Sequence, residues 1–161
     1  MFRSLTYGDI TYEEILEKII KTYTEKGCDI LIGGDSMVRR HEVCYVQVII
    51  VHMHYGGAYF FYNTEVEKQK RKGGRKVSVD IVGRLLTETY KTVELAAKVR
   101  DDLAERGIED AIKEIHIDVG TEGKSKAIIA EVVGMVKAYD FHPVIKPEAY
   151  AASCVADRFS K

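Results

Sequence analysis

Long hydrophobic runs are what this chain most lacks. The apolar stretch Val46 to Val51, interrupted by Gln47, falls far short of the roughly 20 residues that cross a bilayer. The first residues, Met1-Phe2-Arg3-Ser4-Leu5-Thr6, contain no signal-peptide apolar core. Cysteine is scarce. Cys28, Cys44 and Cys154 are odd in number and widely spaced, which suits a reducing cytosol better than a disulfide framework and matches no zinc-ligand spacing. Neither sign of charge dominates: the formal net charge is −1, so no global field draws nucleic acid or membrane, and any basic footprint must be local. Repeats, low-complexity tracts and domain linkers are missing too. The expectation is a cytoplasmic protein with no membrane partner, one domain over residues 1–161.

What is present is enough to build that domain. At 161 residues the chain can bury a sizeable core, and 46% hydrophobic with 30% charged residues is ordinary for a globular protein. Thr11 and Glu14 form a capping-box pattern for a helix over about 12–26, an additional N-terminal element (11–27) stopped by Gly27. Ile30-Leu31-Ile32-Gly33-Gly34-Asp35-Ser36 reads as an apolar strand ending in an acid. A polar turn over 37–42 leads to a β-branched strand over 43–52, and Gly56-Gly57 to a third strand over 58–62. Periodicity then vanishes over 65–77, where basic residues outnumber acids, and we expect a mobile loop. Ser78 is positioned to cap a long helix reaching about Arg106, followed by a strand over 112–118 and a helix over about 124–139. Phe141 to Lys146 reads as a fifth strand, and Pro147 fits the first turn of a last helix through Phe159. After the first helix the order is β-β-β-α-β-α-β-α, an α/β arrangement whose mixed five-stranded sheet is flanked by helices.

The chemistry gathers at strand ends. A carboxylate at the tip of a buried strand costs desolvation unless a cation, donor or water meets it. Asp35 and Asp118 both end strands, and ligand sites of open α/β sheets lie outside the carboxyl ends of parallel strands. If their strands are parallel neighbours, the acids meet at one edge, where hard oxygen ligands suit Mg²⁺ or Mn²⁺. Glu88 on the long helix and Asp157 on the last are candidate third and fourth ligands. Each also has a plainer reading. Strand-end aspartates often cap turns, Glu88 can pair with Arg84 at i,i+4, and Asp157 can pair with Arg158.

Taken in order, the acids and motifs carry a resemblance. The element order, with acids on the first strand, first crossover helix, fourth strand and last helix, looks like the ribonuclease H fold. Within it, Gly33-Gly34-Asp35-Ser36, Arg84 with Glu88-Thr89, Ile115 to Gly120, Val133 to Val136, and Ile145-Lys146-Pro147 through Ala156-Asp157-Arg158 resemble the YkuK-like family of RNase H-related proteins, whose own activity is largely uncharacterised. The family's first motif commonly reads Gly-Thr-Asp-Ser-Gln; this chain carries Gly34 and Met37 at its second and fifth places, which weakens any polar role at 37. The resemblance implies two-metal hydrolysis of phosphodiesters, with two Mg²⁺ or Mn²⁺ ions held by Asp35, Glu88, Asp118 and Asp157. The alternative is a noncatalytic nucleic-acid-binding or assembly module on the same fold.

Substrate contacts are sketched by basic residues. Val119 to Lys126 runs from Asp118 into a helix N-terminus, where backbone N–H groups with Lys124 and Lys126 favour a phosphate; a glycine turn with solvated lysines is the plain alternative. Lys70, Arg71, Lys72 and Arg75 could track the backbone of RNA, DNA or a hybrid; a solvated loop is the plain alternative. Ser36 and His116 are auxiliaries by position. His116 stands two residues before Asp118, on the same strand face, where a packed histidine is the commoner role. No Gly-x-Ser-x-Gly elbow accompanies Ser36.

Overall fold

A computed structural model describes residues 1–39, 42–68, 71–72, 75–76, 80–120 and 128–160, with the backbone alone at 71–72 and 75–76. The elements are β1 (Phe2–Ser4), β2 (Gly8–Ile10), α1 (Tyr12–Lys26), β3 (Cys28–Arg39), β4 (Glu42–Met53), β5 (Ala58–Lys68), β6 (Arg71–Lys72), β7 (Arg75–Lys76), α2 (Ile81–Ala104), β8 (Ile112–Ile117), α3 (Ile129–Ala138), β9 (Pro143–Val144), a π-helical turn (Ala151–Ala156) and α4 (Asp157–Ser160). The main sheet runs β2-β1-β5-β4-β3-β8-β9. Antiparallel pairing joins β3, β4 and β5, and parallel pairing joins β3, β8 and β9. These five strands are the expected mixed sheet. β1 and β2, three residues each, extend it at the β5 edge through Arg3 opposite Tyr62; strands so short carry no readable alternation.

Two layers of side chains close on the sheet. Ile15, Leu16 and Ile19 of α1, Val93, Ala96 and Val99 of α2, and Val132 and Val136 of α3 pack with Ile30, Ile32, Ile49, Phe61 and Ile115 on one face. On the other, Leu31, Val46, Val48 and Ile50 pack with Ala151, Ala156, Val155 and Phe159 of the C-terminal helix. β4 is therefore buried on both faces, which explains its near-continuous apolar run.

α1 follows its sequence signals closely. The Thr11 hydroxyl accepts from Glu14 N–H (3.3 Å), while Thr11 N–H donates to the Glu14 carboxylate (2.8 Å), a reciprocal cap contributing about 1 kcal/mol. Gly27, at φ 68°, ends the helix.

Several boundaries differ from expectation. β3 passes through Asp35 to Arg39, because each residue from Cys28 onward has a partner on β4. β5 likewise continues to Lys68 along β4, so the basic segment begins as strand and then forms the ribbon of β6 and β7. Lys91 of α2 pairs with Glu65 (2.9 Å) and Glu67 (3.0 Å), tying the strand extension to the helix. The cap of α2 is Asp80, whose carboxylate accepts from Val82 and Gly83 N–H; Ser78 lies outside the described residues. The last helix starts at Tyr150 rather than Pro147. Pro147 follows a cis peptide in a turn, and the helix is anchored where Ala151 N–H meets β8.

Candidate active site

Sheet register positions the site. The parallel pairing of β3 with β8 ends at Gly34 opposite Ile117. One residue further, Asp35 is paired only on its β4 side, with Val46, and Asp118 turns away from the end of β8. Asp35 is thus not at the tip of its own strand; it stands where the neighbouring strand stops. Alternation sends Asp35 towards the C-terminal helix and Ser36 towards α2. Ser160 of α4 donates to Asp35 Oδ2 (2.6 Å), and Ser36 Oγ donates to Glu88 Oε2 of α2 (2.5 Å). Acids from both faces of the sheet therefore approach one another around the open edge of β3.

The electrostatics match that convergence. Glu88 is 1% exposed, and burial pushes its carboxyl well above its ordinary range. The Ser36 hydroxyl opposes this, the charges of Asp35 and Asp118 add to it, and Arg84 opposes it. Its Oε1 is buried without a hydrogen-bond partner. Asp35, 6% exposed, is also raised by burial, with Asp118 and Asp157 adding and the Ser160 and Ser36 hydrogen bonds opposing. Lys146 Nζ lies 2.9 Å from Asp118 Oδ1 and 3.0 Å from Oδ2. Asp118 raises the Lys146 ammonium above its ordinary range, burial opposes, and Asp35 and Asp157 add. Arg84 donates to the carbonyl and hydroxyl of Ser36. As the side chains lie, no group of three or more acids, histidines or cysteines among the described residues is placed to hold a metal ion.

Two glycines make the close approach possible. A Cβ on Gly33 would lie 2.9 Å from Ala151 of the C-terminal helix, and one on Gly34 would overlap the Thr92 hydroxyl of α2. The helices on opposite faces therefore reach the sheet at consecutive residues, immediately before Asp35. Met37, the other departure in this motif, continues β3 opposite Cys44.

The remaining sequence-predicted residues divide. His116 is fully buried. Its Nδ1 accepts from Ala151 N–H (3.1 Å), which leaves Nε2 to donate to Glu114 (3.0 Å), and its ring stands edge-on to Tyr150 at 4.8 Å. It positions the C-terminal helix rather than reaching the acids. Arg71, Lys72 and Arg75 lie on the β6–β7 ribbon; Lys70, Lys124 and Lys126 lie outside the described residues. Sequence reasoning missed Ser160 and Thr92. Ser160 carried a usable signal, because it follows Asp157 by three residues and shares its helix face.

Comparison with known proteins agrees with this fold. A family model described as Ribonuclease H-like matches residues 11–161. The chain belongs to the ribonuclease H-like family. The match includes α1 and the whole of the sheet from β3 onward. The chain is also similar to "Uncharacterized protein YkuK" of Bacillus subtilis (strain 168), 26% identical over 176 aligned residues that span 100% of this chain and 97% of that protein. Membership of a YkuK-like branch of the ribonuclease H-like family follows from the two together. Among the described residues no helix is long and apolar enough to cross a membrane.

Proposed function

We propose that residues 1–161 form one RNase H-like domain that hydrolyses nucleic-acid phosphodiesters with divalent metal. The observation that carries this reading is the unpartnered, buried Oε1 of Glu88, on a carboxyl that burial first, and then the charges of Asp35 and Asp118, make costly to leave ionised and uncompensated. A buried carboxylate oxygen of this kind needs a cation or a proton, and an all-oxygen donor set suits Mg²⁺ or Mn²⁺. When bound, two such ions would supply an activated water and stabilise the leaving oxygen. Asp35, Glu88, Asp118 and Asp157 are the residues that would hold them.

The chain's own groups prepare that role. Ser36 fixes one oxygen of Glu88 and leaves the other for a ligand, while Arg84 fixes Ser36. Ser160 orients Asp35 from the opposite face. Lys124 and Lys126, with Lys70, Arg71, Lys72 and Arg75, would supply phosphate contacts to RNA, DNA or a hybrid. In a cleavage assay with Mn²⁺ on RNA, DNA and hybrid oligonucleotides, Asp35→Asn or Asp118→Asn should lower the rate more than the roughly 10–100-fold typical of losing a partner of a metal ligand.

A second reading is favoured by the Lys146–Asp118 pair, which already neutralises one acid. On that reading the chain is a noncatalytic nucleic-acid-binding module. Polynucleotide binding unchanged by chelator, with no cleavage of any of the three substrates, would establish it in place of the first.

A further inference from the structure

Lys146 sits where an added cation would be wanted. Its ammonium bridges both oxygens of Asp118 at 2.9 and 3.0 Å and also feels Asp35 and Asp157. Its backbone is tied down, since Lys146 N–H donates to Val119 O (2.9 Å) in the turn after Asp118. The side chain itself is 44% exposed, so its four-carbon stem can swing to solvent without disturbing the core. Deeper in the fold, Glu88 Oε1 has no partner. The Lys146 charge therefore covers the outer acids and leaves the innermost one uncovered.

We propose that Lys146 is a built-in counter-cation that competes with divalent metal for Asp118, so that metal loading requires its ammonium to leave. This rests on reading the four acids as a metal centre. The ion pair offsets the repulsion among the acids when no metal is bound. Release of Lys146 turns Asp118 into a ligand and frees a cation beside the site for a substrate phosphate. Regulation here is a substitution of one charge for another.

The test is direct titration with Mn²⁺ alone, read by calorimetry or by electron paramagnetic resonance, on the full chain. Lys146→Met keeps the stem and removes the charge. It should bind Mn²⁺ more tightly, by up to about fivefold, the scale of one partly exposed ion pair. Lys146→Arg, which keeps the charge, should bind as the wild type does. In chelator, Lys146→Met should also melt at a lower temperature than wild type and gain more on adding Mn²⁺. Lys146→Gln, measured in parallel, guards against a folding defect peculiar to one variant. Equal or weaker Mn²⁺ binding by both neutral variants, with binding still abolished by Asp118→Asn, would overturn the role of Lys146 and leave the metal centre standing. Absence of Mn²⁺ binding in wild type and neutral variants alike would overturn both.

Discussion

Glu88 is the residue at which burial and charge conflict most sharply, and its titration follows from that. An unfolded glutamate titrates at about its ordinary 4.5, while the folded one is raised well above it. Between those values the folded protein holds a proton that the unfolded chain has lost. Stability is therefore fully present below pH 4.5 and falls as pH rises through the folded value. Urea unfolding in chelator should show Glu88→Gln growing more stable relative to wild type as pH climbs from about 4.5 to about 8, and saturating Mn²⁺ should narrow that gap. Gly34 makes the second prediction at this scale. A Cβ there meets the Thr92 hydroxyl, so Gly34→Ala should cost about 1–3 kcal/mol through overpacking. Adding Thr92→Ala should recover part of it, as a double-mutant cycle would record.

Among the elements, the C-terminal helix is the one whose placement depends on a few polar bonds. His116 accepts its first buried N–H, from Ala151, and Ser160 holds its far end to Asp35. His116→Phe preserves bulk but orphans that N–H, at a cost of about 1–3 kcal/mol. Amide exchange should accelerate at Ala151 and its neighbours while α1 stays protected. The same element marks how far sequence alone could reach. The helix α1 was legible because its cap, stripe and stop are local, and β4 because its apolar run exceeds any solvated strand. Asp35, Glu88, Asp118 and Asp157 were expected as an ordered set, and the charge of Asp35 interacts with those of the other three. The length of β3 was not legible, since residues 37–39 are held by pairing with β4 rather than by their own pattern. Nor was Ser160, whose partner is 125 positions away in the chain. The turn before Tyr150 was misplaced because Pro147 signals a helix start only when nothing downstream anchors the first N–H more firmly.

At the scale of the whole molecule, the near-zero net charge means that the polynucleotide attraction proposed above would have to come from local basic residues. Replacing Arg71, Lys72 and Arg75 together by Ser should weaken binding across sequences, and flatten the log affinity against log salt by about 0.7–0.9 for every phosphate no longer neutralised. Fluorescence anisotropy over a salt series measures both. The long strands give this prediction a length. Asp35, Val46 and Thr64 form one rung of the sheet, and Arg39, Glu42 and Lys68 form another four residues on, which at about 3.3 Å per residue is roughly 13 Å. β5 leads into the basic ribbon from that outer rung. On the proposed function the sheet would serve as a ruler: for a duplex laid along these strands and rising about 3.4 Å per base pair, a strand whose phosphate sits at the acids would meet the base of the ribbon about four pairs away. Oligonucleotides ending nearer than that to the cut should forgo the contribution of Arg71, Lys72 and Arg75, and longer ones should keep it.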